Sequence, residues 1–100
     1  MTEASISSAL AIAKTRLNRL QGDTSLDETA LLPRLRGSVI TLKKAGIDLQ
    51  DTEDDIVLLA DYAVWRYQNR DQPGEMPAWL KKLRWERFLH GGAGGAANDP

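Results

Sequence analysis

The stretch DTEDDIVLLADYAVWRYQNR, Asp51 to Arg70, decides the fold. Its middle, Ile56 to Trp65, is apolar on every side apart from Asp61 and the phenol of Tyr62. A helix with one apolar stripe lies on a surface, whereas one that is apolar all round has to be enclosed by neighbours. The run is too short to span a bilayer and carries a carboxylate at its centre. It reads as the buried central helix of an all-α domain, a small bundle of about four helices. Asp51 and Thr52 are candidate N-caps. Glu53, Asp54 and Asp55 then place carboxylates in the first turn, at the positive end of the helix dipole. Asn69-Arg70-Asp71 and the following Pro73-Gly74 stop the helix.

Upstream, Leu31, Leu32, Leu35, Val39 and Leu42 keep a helical period into Lys43-Lys44-Ala45-Gly46. Two lysines in a last turn with a glycine just beyond mark a C-terminus. This helix is expected to start at Ser25, because Ser25 and Glu28 have the spacing of a capping box. Pro33 lies inside it, where a proline removes a hydrogen bond. Either the helix kinks there or a fresh helix starts with Pro33 in its first position; a kink is the favoured expectation. Further upstream, Ile6, Leu10, Ala13, Leu17 and Leu20 form one stripe of a first helix over Thr2 to Leu20, with Lys14, Arg16, Asn18 and Arg19 outside it. In the link Ile47 to Gln50, Leu49 is expected to plug the core.

Downstream, Gln72 to Glu75 is a turn, and Pro77 suits the first position of a last helix. That helix carries Trp79, Leu80, Leu83, Arg84, Arg87 and Phe88 and ends at His90-Gly91. The remainder, GGAGGAANDP, has nothing to bury and much backbone entropy to lose. The expected organisation is one helical domain, 1–90, and a disordered tail, 91–100.

The 100 residues contain no cysteine, so disulfides and thiolate chemistry are excluded. A domain this size hides somewhat more than about 60% of its unfolded surface, and oligomerisation would help it. The segment Met1 to Ser5 lacks the basic and apolar regions of a signal peptide, so a soluble cytoplasmic protein is expected, with no membrane association. A formal charge of −1 gives no general pull on nucleic acid. The charge is unevenly placed: Lys81, Lys82, Arg84 and Arg87 face only Glu86 in the last helix, whereas Asp48 to Asp55 holds five acids and no base. Ends of opposite sign suggest head-to-tail contact between copies, although a solvated face is the commoner explanation.

No catalytic, cofactor or metal constellation is legible. His90, the single histidine, is best read as a cation near a helix C-terminus. Asp51, Asp54 and Asp55 lack the spacing of a calcium loop and read as helix-capping residues. Asp61, if enclosed, must be paired, because an isolated buried charge is expensive; Arg84 and Arg36 are the candidate partners. Trp79 and Trp85, six residues apart, lie roughly 120° from each other around a helix, so they cannot share one inward direction. Trp65 is assigned to the core, as are Trp79, Leu80 and Leu83 of the last helix. Trp85, with Arg84, Arg87 and Lys81, forms a candidate interface, since Trp and Arg are enriched in binding hot spots. Asp51, Asp54 and Asp55 of a neighbouring copy would supply the opposite charge.

The run Leu58 to Asp71, LLADYAVWRYQNRD, followed by MPAWLKKLR, Met76 to Arg84, resembles the C-terminal half of the small head–tail connector proteins of tailed bacteriophages and prophages. Asp61-Tyr62, Arg66-Tyr67 and Leu80-x-x-Leu83-Arg84 carry the likeness, which extends over about Ile6 to Leu89. Pro33 departs from the uninterrupted second helix of that pattern. The resemblance implies a non-enzymatic adaptor in the neck of the virion, present in the host cytoplasm before assembly. Copies would form a ring joining the portal protein to the next neck or tail-completion protein, with DNA only passing through the channel. The competing expectation is a small helical regulator that binds DNA or a partner protein, but no recognition helix can be placed for it.

Overall fold

Seven consecutive residues, Leu58 to Val64, are buried, so every side of the central helix meets a neighbour. The computed structural model describes residues 1–71 and 74–90. They form α1 (Glu3–Arg16), a π-helical turn (Asp27–Leu31), α2 (Leu32–Lys44), α3 (Glu53–Gln68) and α4 (Ala78–Leu89), with no strand among the described residues. The all-α architecture around one enclosed helix is therefore as expected: α3 packs against α1, α2 and α4. Leu49 plugs the core, as its position in the link suggests. The expected tail, 91–100, and residues Gln72 and Pro73 of the expected turn lie outside the described residues.

The first helix is shorter than its stripe suggests. Thr2 Oγ1 caps its start by accepting the Ser5 N–H at 3.2 Å. At the other end, Asn18 adopts a left-handed φ of 59°. The Arg19 N–H then donates to the Lys14 carbonyl (2.8 Å) and the Asn18 N–H to that of Thr15 (3.0 Å). This is a Schellman ending, with asparagine in the position glycine usually fills. It strips Leu20 from the stripe and leaves it exposed. Lys14, expected outside the stripe, is instead buried. Its Nζ donates to the Gln21 carbonyl (2.8 Å) and pairs with Asp27 Oδ2 (3.3 Å), fastening α1 to the π-helical turn.

The second helix neither starts at Ser25 nor kinks at Pro33. Ser25 turns back to Asp23, whose Oδ1 accepts its N–H (3.0 Å) and hydroxyl (2.7 Å). A carboxylate outcompetes the capping box for that hydroxyl. The chain then makes one wide turn, in which the Leu31 N–H reaches five residues back to the Leu26 carbonyl at 2.9 Å. Pro33 falls in the first turn of the α-helix that follows. A proline is disfavoured in a helix interior, where it removes a hydrogen bond and clashes with the carbonyl four residues back. Standing in the first turn of α2, just after the wider turn, Pro33 removes no hydrogen bond that the helix interior needs.

Gly46 ends α2. Its φ of +94° is left-handed, and the Ile47 N–H reaches the Leu42 carbonyl at 2.8 Å, a second Schellman ending. A Cβ here would also stand 2.7 Å from the ring of Phe88. The glycine thus ends the helix and lets α4 approach. At the start of α3, Thr52 Oγ1 accepts the Asp55 N–H at 3.3 Å. Pro77 sits one residue before α4, as its cap.

Candidate functional site

The last helix is the part of the molecule with most to offer a partner. Leu80 is its one buried residue. Of the seven large apolar side chains exposed among the described residues, five belong to it: Trp79, Leu83, Trp85, Phe88 and Leu89. Trp79, assigned to the core from sequence, is 55% exposed and Trp85 59%. The core around α3 is already filled by α1 and α2, so α4 needs to insert only one leucine.

A polar clamp fixes α4 instead. Arg87 Nε donates to Asp55 Oδ1 (2.6 Å) and an Arg87 terminal nitrogen to Asp55 Oδ2 (3.1 Å), a fork-on-carboxylate geometry. The same guanidinium reaches the Asp48 carbonyl at 2.8 Å, and Asp55 Oδ2 accepts the Gln50 N–H at 2.7 Å. Arg87 and Asp55 were expected to meet across two copies. They meet within one chain, because α4 lies across the start of α3. Both are largely buried, so neither is available for docking.

The other candidate residues separate. Asp51 Oδ1 accepts the Thr2 N–H (2.7 Å) and hydroxyl (3.1 Å), tying the start of α1 to that of α3. The backbone N–H of Thr2 foremost, then the Ser5 hydroxyl, holds the Asp51 carboxyl below the usual range. Lys81 pairs with Glu75 at 3.2 Å, on the surface. Asp61 is buried, but its cation is Arg16, with Nε at 3.0 Å, rather than Arg84 or Arg36. The most extensive neighbour of α3 is α1, and the last residue of that helix reaches the carboxylate. Arg36 pairs with Glu3 at 3.0 Å; this bond raises its pKa further above its already high value. In the pairs Asp61-Tyr62 and Arg66-Tyr67, Asp61 ties α3 to α1 and Arg66 ties it to α2. The Arg66 guanidinium lies 6.0 Å from the Tyr62 ring and reaches Ser38 and Thr41, while Arg70 stacks 4.1 Å from the Tyr67 ring.

Two open grooves run along opposite flanks of α4. One, of about 410 Å³, has Val57, Leu58 and Leu83 as its apolar lining and Asp54, Glu86 and His90 among its polar residues. The other, of about 210 Å³, lies against the α2–α3 link and is lined by Ala45, Ile47, Lys81, Arg84, Trp85 and Phe88. Trp85 and Phe88 stack with ring centres 5.7 Å apart. Trp85, Arg84 and Lys81, the interface candidates from sequence, line the second groove. Leu83, assigned to the core from sequence, is instead exposed and lines the first with Glu86, which had no assigned role. The i, i+3 spacing of Leu83 and Glu86 was the available signal for that side.

Among the described residues, no group of His, Cys, Asp and Glu is placed to hold a metal ion, and no helix is long and apolar enough to cross a membrane. No protein-family model matches the chain, and no curated protein or solved structure is significantly similar to it.

Proposed function

We propose that this chain is a head–tail connector of a tailed bacteriophage or prophage, a non-enzymatic subunit that assembles as a ring at the portal vertex. In this reading it joins the portal protein to the next neck or tail-completion protein and leaves a channel through which DNA passes. It belongs to the neck of the virion and, before assembly, to the host cytoplasm. The observation that carries the reading is the concentration of exposed aromatic and aliphatic side chains on α4. Exposed apolar patches rimmed by charge mark protein contacts, and Trp, Phe and Arg are enriched in them. The Leu58–Asp71 and Met76–Arg84 runs support the same assignment by their resemblance to that family.

The test is to mix the purified chain with the portal protein from the same genome and image the product by electron microscopy. A ring of copies capping the portal is the expected result. A chain that ignores the portal but binds random duplex DNA, with affinity falling steeply as salt rises, would instead be the small helical regulator.

A further inference from the structure

We propose that copies of this chain associate head to tail through the two flanks of α4. The flank bearing Lys81, Arg84, Trp85 and Phe88 of one copy seats in the groove rimmed by Asp54 and Glu86 of the next. The inference deepens the connector reading and rests on it for the choice of a second copy as occupant.

Three observations support this pairing. First, the flanks face apart. Leu83 and Phe88 are five residues apart, about 140° around a helix axis, and they line different grooves. A subunit can therefore offer both surfaces at once. Second, the flanks differ in sign. The other groove has Asp54 and Glu86 left over once Asp55 and Arg87 have neutralised each other, while the aromatic flank carries Arg84 and, beside its solvent-screened pair with Glu75, Lys81. Third, each flank has apolar surface for the other to cover: the Trp85–Phe88 stack on one side, Val57, Leu58 and Leu83 on the other.

Like-to-like docking is disfavoured by the same charges. A two-fold dimer through the aromatic flank would set Lys81 and Arg84 against their own copies, and like charges across an interface are costly. Contact between unlike surfaces is heterologous, and such contacts close into rings or continue as filaments. Charge complementarity on a single molecule thus selects another copy of the chain as the partner and a ring as the closed product.

Charge swapping tests this without touching the core. One variant carries Lys81→Glu and Arg84→Glu, the other Asp54→Lys and Glu86→Lys, and circular-dichroism melts establish that both fold as the wild type does. By sedimentation velocity, each variant alone is expected to lose at least about tenfold in self-association, equivalent to ~1.4 kcal/mol. An equimolar mixture is expected to recover assembly, because the reversed flank of one variant meets the reversed groove of the other. Variants that each assemble like the wild type would overturn the inference, as would a folded mixture that stays monomeric. If the wild-type chain caps the portal while the swaps change nothing, the connector reading survives and the flank pairing falls. If swaps and rescue behave as expected but the portal is never bound, the pairing survives and the connector reading falls.

Discussion

The three-helix unit α1–α3 and the last helix spend their apolar residues differently. In the unit, Ile6, Leu35, Leu42 and Leu59 are buried against one another. In α4, Trp79, Leu83, Trp85, Phe88 and Leu89 stay exposed while Leu80 alone goes in. Apolar content does not separate the two regions; the neighbours available to cover it do. Because α3 is already flanked by α1 and α2, α4 meets it along one edge, and a fork ion pair supplies much of the attachment. The unit buries a cluster of apolar side chains, whereas α4 adds one buried leucine and a largely buried fork ion pair.

The sharpest way to break this comparison is to remove one half of the clamp. Arg87→Ala leaves Asp55 buried without its guanidinium, and such losses cost about 3–5 kcal/mol, a large part of the ~5–15 kcal/mol that holds a small domain. Denaturant unfolding should show this loss. A loss below ~1 kcal/mol would mean that Leu80 suffices and that α4 is held as the other helices are.

A smaller effect is expected inside the three-helix unit, at Arg16 and Asp61. Asp61 is buried but Arg16 is 49% exposed, so water screens the pair. Arg16→Ala should cost about 1–3 kcal/mol, because it leaves the buried carboxylate without a cation. Asp61→Asn should cost less, since the freed guanidinium returns to water. Equal losses by denaturant titration would remove this asymmetry.

The smallest expected effect is a pH dependence at the junction of α1 and α3. The Thr2 backbone N–H, together with hydroxyl groups, depresses the Asp51 pKa in the folded state. Its contribution is therefore complete above the unfolded value, about 3.9, and is lost as pH falls through the lower folded value. Acid unfolding of Asp51→Asn should lack this component. Superimposable acid limbs for the two proteins would show that the junction gains nothing from the charge.

The central helix was legible because a run apolar on every face permits one placement only. The end of α2 was legible because Gly46 follows two lysines. The end of α1 was not, because the left-handed turn at Asn18 interrupts a stripe that continues in sequence to Leu20. Pro33 admitted two local solutions, and the wide turn at Asp27–Leu31 is chosen by packing and by Lys14, whose burial has no sequence signature. At the candidate site, the charges of Arg87 and Asp55 were visible, but whether opposite charges meet within a chain or between chains depends on distance. Sequence order does not contain it. The exposure of Trp79 was hidden for a related reason: a hydrophobic residue is buried only if a neighbouring element comes to cover it.

The burial of Lys14 also sets an order of chemical reactivity. Lys43, Lys44, Lys81 and Lys82 stand exposed, whereas Lys14 Nζ lies under the Gln21 carbonyl and beside Asp27. An amine-directed acylating reagent must approach from solvent, so these four lysines should be labelled early and Lys14 late. Lys14 becomes accessible only when α1 parts from the π-helical turn, a local opening distinct from global unfolding. Its acylation rate, read by mass spectrometry, therefore times that opening in the intact chain.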